Sequence, residues 1–478
     1  MKTNIRYFFL IILSLCLFNI NTFSQTWVKI SAGGFFSVAL DSKGKIYTCG
    51  ANSYGQLGTG DTSNRLSYTQ VGTDSDWSDI SAGGWHVLAL KRNGKLYAWG
   101  SNQYAQCGGS VPGNILTPTQ VGTDSDWLYI CGGVNNSFAI KKDSTAWVWG
   151  GNSAGQVGNG NENTTYIPYN INNNKWLSIC GGHIFTMALR NDGTIWTWGN
   201  NAYGMLGNGT YSSNVFPTQM GTDNDWTSIA AGYAHAIAIK KDGSIWGWGR
   251  NINGELGQGD TVIRLQPTRI GTDSNWKQAY AGPLYTLALK TDGSLYAWGS
   301  DIYGQLGDGI INNNRLSPEQ VGQGVQWLVA SPSRGIFVPI TNVKNEIEGY
   351  HTLALKYGGQ YICTTGLNNA GQFGNGSDFY SSTFSCTGAV SGIEPTSLNY
   401  NILSIYPNPT TGKTSISIES QLPGDNALTL SDMNGKIIYS DYHFNSSSTI
   451  DISTYPNGIY LLRIVSSDEV YCTKIVKE

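Results

Sequence analysis

The chain has 478 residues, a formal net charge of -3 and only 13% charged residues. A charge so close to neutral provides no basic field, which argues against sequence-independent binding to nucleic acid. The 61 glycines and the 12% content of aromatic residues are typical of tight turns between short, well-packed strands.

The chain begins with the pattern of an export signal. Lys2 and Arg6 precede an apolar stretch at residues 7–18, and a more polar segment leads to a cleavage site expected near Gln25. The apolar stretch is too short for a comfortable membrane span. Residues 1–24 are therefore predicted to be a signal peptide, and the mature chain is expected to be secreted or attached to the outer surface.

Seven tryptophans recur at intervals of 49 to 51 residues, and each opens a copy of one phrase. A fixed period near fifty residues indicates supersecondary units that stack on one another, because a single unit cannot bury its own apolar face. The repeat tryptophans are Trp27, Trp77, Trp127, Trp176, Trp226, Trp276 and Trp327.

Each copy contains three to four short strands and no helical periodicity. In the fifth copy the first strand starts at Trp226, an apolar strand covers residues 234–240, and Asp242-Gly243 forms a turn. Asp or Asn followed by Gly between apolar runs is the strongest short-range signal for a β-hairpin. A third strand and a glycine-rich loop follow. The pattern predicts a blade, and seven copies predict an all-β chain with a seven-bladed β-propeller.

The phrase A-G-x-x-H-x-x-A-L-x-x-D-G-x-x-x-x-W-G-x-N-x-Y-G-Q-L-G resembles the repeat of the regulator of chromosome condensation family. Repeat two reads SAGGWHVLALKRNGKLYAWGSNQYAQCG, and the match covers roughly residues 27–390. The resemblance implies a propeller over residues 25–390 that binds partners through one face. Two departures stand out: Ser144 replaces the turn glycine of repeat three, and repeat seven carries extra residues at roughly 331–348.

The positions at which the repeats start and stop predict how the ring closes. The mature chain opens with an innermost-strand phrase at residues 27–33. The seventh copy ends at residues 387–390 with the element that would precede such a strand. We therefore expect the N-terminal strand to complete the last blade and to remove the exposed edges of an open array.

Seven cysteines remain after the predicted cleavage, an odd number without the C-x-x-C spacing of metal sites. The favoured interpretation is that they are small, unpaired, buried side chains at packing positions. Disulfides are the alternative, and Cys363 with Cys386 is the first pair to consider. The cysteines are Cys49, Cys107, Cys131, Cys180, Cys363, Cys386 and Cys472.

A variable loop follows the first strand of every repeat and supplies the candidate partner-binding residues. Loop positions on one face are free to differ between repeats, and large aromatic side chains at such positions are typical anchors for a partner. The equally weighted alternative is that these rings fill the gaps between blades near the axis. The candidates are Phe35, Phe36, Trp85, His86, Tyr233, His235 and Tyr285.

No catalytic, cofactor or metal site is visible in the sequence, and no cofactor is expected. His86, His235 and His351 share one repeat position, which favours packing or hydrogen bonding over catalysis. The recurrent run G-T-D-S-D-W, first seen at residues 72–77, lacks the ligand density of a calcium loop and is expected to form turns. Phosphate-loop, zinc-protease and nucleophile-elbow motifs are absent, so a polysaccharide-acting enzyme such as a lyase is a minor alternative.

The repeat signal ends after residue 390, and a different module follows a short linker at residues 391–402. Strand-like runs separated by Asn-Gly turns predict a small β-sandwich over residues 403–478. Its Y-P-N-P opening, D-x-x-G-K turn and N-G-I-Y-L strand resemble the C-terminal sorting domain of type IX secretion cargo in the Bacteroidetes. The residues that carry the resemblance are Tyr406, Pro407, Asn408, Pro409, Gly412, Gly435, Asn457 and Gly458.

The two resemblances predict a secreted or cell-surface protein that presents a propeller face to a protein or glycan partner. The tail resemblance implies recognition by the type IX export machinery, usually followed by cleavage and by release or attachment to surface lipopolysaccharide. A monomer is expected. Family members that inhibit β-lactamases suggest an alternative, a secreted inhibitor of an extracellular enzyme. For the tail the alternative is a generic adhesive β-sandwich.

Overall fold

The structure is a computed structural model, and every regular element that it describes is a β-strand. It divides into two compact units, Met1–Ser391 and Gly392–Glu478. The predicted signal peptide, the linker at 391–402 and most of the insertion in repeat seven lie outside the described residues. None of the described segments forms a helix that could serve as a membrane span. The described residues are 25–109, 113–172, 174–334, 349–388, 403–406, 410–418, 427–431, 437–441, 447–465 and 470–477.

Seven four-stranded antiparallel sheets form the first unit, each from four consecutive strands, which confirms the predicted seven-bladed propeller. The first strands of neighbouring blades contact one another, so they are the innermost strands. The first strands are β1 (Trp27–Ala32), β5 (Trp77–Ala82), β9 (Trp127–Gly132), β13 (Trp176–Gly181), β17 (Trp226–Ala231), β21 (Trp276–Ala281) and β25 (Trp327–Pro332). The second strands are β2 (Phe36–Asp41), β6 (His86–Lys91), β10 (Asn136–Lys141), β14 (Phe185–Arg190), β18 (His235–Lys240), β22 (Tyr285–Lys290) and β26 (His351–Lys356).

The third and fourth strands complete each blade toward its outer edge. The third strands are β3 (Ile46–Gly50), β7 (Leu96–Gly100), β11 (Ala146–Gly150), β15 (Ile195–Gly199), β19 (Ile245–Gly249), β23 (Leu295–Gly299) and β27 (Tyr361–Gly366). The fourth strands are β4 (Arg65–Gln70), β8 (Ile115–Gln120), β12 (Thr165–Asn172), β16 (Asn214–Gln219), β20 (Arg264–Arg269), β24 (Arg315–Val321) and β28 (Ser381–Gly388).

The repeat tryptophans anchor the joints between blades. In blade 2, Trp77 lies opposite Lys91, and a register shift follows before Asp79 pairs with Leu90. The same shift follows the tryptophan in every blade. The Trp77 ring is buried in a cluster that contains Val71 of blade 1. Each tryptophan therefore buries its apolar surface against the preceding blade, which explains the spacing of about fifty residues.

The ring closes by side-to-side packing of blade 7 against blade 1, so the prediction that the N-terminal strand completes the last blade is wrong. β28 pairs with β27 as the fourth strand of blade 7, and β1 is the first strand of blade 1. The repeat phrase already contains all four strands of its own blade, which leaves none to share. Trp27 and Leu353 belong to one hydrophobic cluster across this joint. The Arg334 amide also donates to the Gly33 carbonyl at 3.2 Å.

Cys363 and Cys386 are joined by a disulfide, so the favoured unpaired interpretation is wrong for this pair. The two residues lie directly opposite each other on β27 and β28, which brings their side chains together. The side chain of Cys472 lies outside the described residues. The described cysteines that are free are all buried, as predicted: Cys49, Cys107, Cys131 and Cys180.

The second unit contains a three-stranded sheet, β29-β30-β33, and a four-stranded sheet, β32-β31-β34-β35. Ile416 and Ile450 of the first sheet share a buried cluster with Leu430 and Leu462 of the second, as in a small β-sandwich. The strands are β29 (Leu403–Tyr406), β30 (Lys413–Ile418), β31 (Ala427–Ser431), β32 (Ile437–Asp441), β33 (Ser447–Asp451), β34 (Gly458–Val465) and β35 (Val470–Lys477).

Candidate functional site

The propeller has two faces, because the four strands of each blade are antiparallel. The loops after the first and third strands, residues 33–35 and 51–64 in blade 1, emerge on one side, which we call the aromatic face. The turns after the second strands and the connections between blades emerge on the other side, which we call the turn face. Hydrogen bonds join the two loops of the aromatic face within each blade, as where the Ser101 amide donates to the Trp85 carbonyl at 2.8 Å.

Aromatic side chains of blades 1 and 2 contact one another on the aromatic face. The ring centroid of Trp85 lies 5.6 Å from Phe35 and 5.4 Å from Tyr54. All three rings are partly exposed, and the nearby loop of blade 2 presents Tyr104, which is 48% exposed. This group forms a rigid, partly apolar surface, because each ring is held by its neighbours.

Further aromatic groups lie on the same face. His183 stacks on Tyr233 with ring centroids 4.8 Å apart, and Tyr303 lies 5.6 Å from Tyr350. Tyr203 in the same set of loops is 36% exposed. The tyrosines of the loops after the third strands were missed from sequence. Their shared position in the phrase N-x-Y-G could have identified them, because loops one and three of an antiparallel blade emerge on the same side.

The structure divides the predicted partner-binding residues into two groups. Phe35, Trp85 and Tyr233 lie partly exposed in loops of the aromatic face. The other four begin second strands, and their side chains have no exposed surface. A partner cannot contact them in this structure, so the gap-filling alternative is the one that we propose for these four. They are Phe36, His86, His235 and Tyr285.

The buried histidines join neighbouring blades by hydrogen bonds. The Ser137 hydroxyl donates to the Gln106 carbonyl at 2.6 Å, so the nitrogen Nε2 of His86 donates to Ser137. The Trp149 indole donates to the same Gln106 carbonyl at 3.0 Å. The histidine contact occurs at three joints: His86–Ser137 at 2.8 Å, His235–Thr286 at 3.0 Å and His351–Ser37 at 3.2 Å.

Burial lowers the pKa of these three histidines to about 3. The Nδ1 atoms have no hydrogen-bond partner among the described residues, so a second proton would be buried without an acceptor. The histidines are therefore neutral at physiological pH and act as hydrogen-bonding joint residues, in line with the sequence interpretation.

In blades 1 to 6, a glycine three residues before the joint residue makes room for its side chain. A Cβ atom at Gly83 would lie 2.1 Å from Cε1 of His86 and 2.5 Å from the Gly133 carbonyl oxygen. Both distances are well below van der Waals contact, and the second obstacle is backbone. The small residues after the first strand are thus explained by the joint rather than by a ligand.

Two buried acidic groups distinguish blades 5 and 6 beneath the aromatic face. Glu255 forms a buried ion pair with Arg250, and burial raises the pKa of Glu255 although Arg250 opposes this. Asp301 accepts a hydrogen bond from the Leu306 amide at 3.0 Å. Burial and the charge of Asp308 raise the pKa of Asp301 to about 7. At the position of Asp301, the other blades have asparagine: Asn52, Asn102, Asn152, Asn201, Asn251 and Asn368.

On the turn face, the lysine that ends the second strand of four blades is paired with aspartate. Lys91 lies 2.7 Å from Asp74 and 3.0 Å from Asp76, with its ammonium 4.9 Å from the Trp77 ring centroid. Burial opposes the charge of Lys91, but the two carboxylates outweigh it and raise the pKa. Lys141, Lys240 and Lys290 make equivalent pairs. The G-T-D-S-D-W runs thus hold a lysine, a role that sequence analysis missed. The described residues contain no cluster that could hold a metal ion.

Part of the predicted sorting motif lies in the described residues of the second unit. Tyr406 ends β29, Gly458 begins β34 after the exposed Asn457, and the Gly412 carbonyl accepts from the Ile452 amide at 2.7 Å. Sequence analysis missed Lys477, whose nearly buried ammonium donates to the Ser453 carbonyl at 2.8 Å. Four motif residues lie outside the described residues: Pro407, Asn408, Pro409 and Gly435.

Family models match both units. A model of the secretion system C-terminal sorting domain matches residues 404–478. One model of the regulator of chromosome condensation (RCC1) repeat matches residues 27–56, 77–106, 226–255 and 276–305. The comparison with curated proteins gave no match. Another model of the RCC1 repeat matches more than half of the chain, at residues 43–90, 93–140, 143–189, 192–239, 242–289 and 292–331.

Solved structures show the same fold at low sequence identity. Human WBSCR16 is 19% identical with a TM-score of 0.62, and the match covers 74% of this chain and 95% of that one. Prp20p from Saccharomyces cerevisiae is 21% identical with a TM-score of 0.59, and the match covers 65% of this chain and 80% of that one. The Prp20p structure is described together with its binding to Gsp1p and histones.

Proposed function

The chain belongs to the regulator of chromosome condensation (RCC1) repeat family, and from that premise we propose that it is an exported binding protein whose aromatic face holds an extracellular protein partner. The observation that carries this proposal is the contrast between the two faces. Partly exposed aromatic rings contact one another on one face, whereas on the other face the lysines that end the second strands of four blades are paired with aspartates.

The aromatic face has the properties of an anchor site for a protein. Trp and Tyr are the residue types most enriched among interface residues that dominate binding energy. Trp85 is held by Phe35 and Tyr54, so little side-chain entropy remains to be lost when a partner binds. The yeast relative Prp20p, described as binding Gsp1p and histones, supports protein binding by this fold.

Export follows from the sorting domain, and its details are proposals. We propose that residues 1–24 are removed as a signal peptide and that residues 403–478 direct the propeller through type IX machinery to the surface or the medium. A partner is then expected outside the cell.

Replacing Trp85 by Ala tests the aromatic face. Partner capture from the native environment should fall at least about tenfold, because a central aromatic anchor contributes more than about 1.4 kcal/mol. The melting temperature should change little, since Trp85 is partly exposed. Leu128→Ala is the matched control: Leu128 is 62% exposed and is the second residue of β9, at the turn-face end.

The proposal fails if Trp85→Ala binds the partner as wild type does, or if binding falls only in proportion to unfolding. It also fails if Leu128→Ala loses binding equally. A captured glycan in place of a protein would reject the protein-partner assignment while leaving the aromatic face as the site.

A further inference from the structure

A cavity of about 170 Å³ lies on the propeller axis beneath the aromatic face. Its wall is formed by residues of the innermost strands, and Arg334 follows the last of these strands. The lining includes Tyr129, Cys131, Cys180, Tyr280, Ser331 and Arg334. None of these residues belongs to the aromatic groups described above, so the cavity is a separate feature.

Arg334 reaches across the axis from blade 7. Its Nη1 donates to the carbonyls of Gly181 and Ala231 at 3.2 and 3.5 Å, and its Nη2 contacts the Cys131 sulfur at 3.7 Å. A guanidinium has five N–H groups, and these contacts use three of them. Among the described residues, its contacts are carbonyl dipoles and a thiol, which leave the full positive charge without an anion.

The charge of Arg334 is not neutralised by a carboxylate among the described residues, since none of the ion pairs found there includes it. Elsewhere in the innermost strands, Lys29 and Asp79 neutralise each other. Burial raises the pKa of the Cys180 thiol to about 12, Cys131 adds to this, and the charge of Arg334 opposes it. The field of Arg334 therefore reaches the cavity wall.

A second donor lines the same cavity. The hydroxyl of Tyr280 is buried, and its proton has no hydrogen-bond acceptor within the described part of the chain. Burial raises the pKa of Tyr280, and this effect outweighs the backbone amide of Ala330, which lowers it. The phenol therefore keeps its proton at neutral pH. A buried donor without an acceptor is costly, as is a cation without a counter-charge.

We propose that the axial cavity binds an oxyanion, a carboxylate or phosphate group, through Arg334 and Tyr280. An oxyanion supplies the negative charge and the acceptor atoms that both side chains lack, and Arg is the residue that best matches this geometry. The site is reachable, because a depression on the aromatic face is lined by Tyr233, Pro283 and Ser333 and also by Arg334. The oxyanion is either a free small anion or an acidic side chain that enters from that face.

The test uses the full mature protein with inorganic phosphate and acetate, against chloride at equal ionic strength. Phosphate should give a saturable heat of binding, and Arg334→Gln should weaken it about tenfold or more, since a charge-assisted contact is lost. Arg334→Lys should retain part of the affinity. Arg92→Gln is the matched control, because Arg92 is exposed on a turn of the turn face and should leave binding unchanged.

Cysteine alkylation gives a second readout that does not require a variant. Phosphate should slow labelling of Cys131 and Cys180, whereas Cys49 and Cys107, which do not line the cavity, should be unaffected. The proposal is overturned if neither anion binds or protects, or if a well-folded Arg334→Gln binds phosphate as wild type does. If Arg334→Gln does not fold, protection in the wild type decides.

The two sources of the oxyanion are separated with a short peptide that contains one aspartate. Binding of this peptide about tenfold tighter than acetate, with loss in Arg334→Gln, assigns the site to an acidic side chain. Equal affinities assign it to a free anion. The inference does not depend on the aromatic anchors, so Trp85→Ala should leave phosphate binding intact.

Discussion

One side chain at the start of each second strand sets the chemistry of a blade joint. His86 bonds to the Ser137 hydroxyl of the next blade, whereas Phe185 shares a hydrophobic cluster with Ala236, which occupies the position equivalent to Ser137. A polar ring is thus matched with a hydroxyl and an apolar ring with a methyl group. This matching satisfies the buried donor of His86 locally and allows the same backbone to carry different joint residues.

The histidine joints predict sensitivity to acid. The folded pKa is about 3, below the ordinary value near 6.5, so the unfolded state binds more protons as pH falls from about 6.5 to 3. In this range, each buried histidine lowers the free energy of unfolding by about 1.4 kcal/mol for each unit that the pH falls. At pH 5 the loss is about 2 kcal/mol relative to neutral pH. The double variant His86→Phe with Ser137→Ala reproduces the joint of Phe185 and Ala236. Its melting temperature should fall less than that of wild type between pH 7 and pH 5.

Ser137→Ala alone is the control for that experiment. It leaves the His86 ring without its acceptor, so it should lower stability at both pH values without removing the acid sensitivity. An acid response of the double variant identical to wild type would contradict a role for His86 protonation.

Asp301 predicts the opposite pH dependence. Its folded pKa of about 7 lies above the ordinary carboxyl value near 3.9, so the unfolded state releases its proton first. Stability should therefore fall as pH rises from about 4 to 7 and remain low above 7. Asp301→Asn restores the residue of the other blades and should add about 2 kcal/mol at pH 8, and far less at pH 4.5. Denaturant unfolding at the two pH values measures the difference.

Asn251→Asp is the reciprocal variant in blade 5. The Asn251 side-chain amide donates to the Asp260 carbonyl at 2.9 Å, which an ionised carboxylate cannot do. This variant should lose stability as pH rises. Equal effects of Asp301→Asn at both pH values would show that burial of the ionised group is not the cause.

At the scale of elements, the repeat phrase predicted the strands but not how the ends of the ring meet. A periodic sequence has the same period wherever the unit is taken to begin, so it cannot tell whether β1 belongs to blade 1 or completes blade 7. Only strand pairing decides this, and β28 pairs with β27. The Asp-Gly turns and the repeat tryptophans were sufficient for the blade itself.

The candidate site was only half predictable for a related reason. Strands that face solvent alternate between buried and exposed residues, which separates inward from outward positions. The second strands are packed between blades on both sides, and all six residues of β2 are buried. Phe36 therefore could not be distinguished by pattern from the partly exposed Phe35, and two neighbouring aromatic residues were assigned one role.

The closing joint can be compared with an interior joint by two matched substitutions. Trp27→Ala and Trp226→Ala each remove a buried tryptophan and should each cost about 3–5 kcal/mol. Blades 7 and 1 are not linked by consecutive chain, whereas blades 4 and 5 are. Trp27→Ala should therefore also open the ring and promote association between chains, seen by size-exclusion chromatography. A monomeric Trp27→Ala no less stable than Trp226→Ala would contradict closure through this joint.

At the scale of the whole molecule, the two units have separate cores. Among the described residues, the cluster around Leu430 and Leu462 contains residues of the second unit, and the clusters of the propeller contain residues of the first. Separate cores allow each unit to fold without the other. This separation suits a tail that is read by an export machine, because its removal leaves the cargo intact.

Deletion of residues 403–478 tests this division of roles. The propeller should keep its melting temperature, since none of its hydrophobic clusters includes a described residue of the tail, and it should accumulate in the periplasm instead of reaching the surface or the medium. Lys477→Met is the finer variant, because it removes the ammonium that donates to the Ser453 carbonyl while leaving the propeller unchanged. It should reduce export in proportion to the loss of folded tail. Normal export of the truncated chain would reject the sorting role, and unfolding of the truncated propeller would show that the tail contributes to the ring.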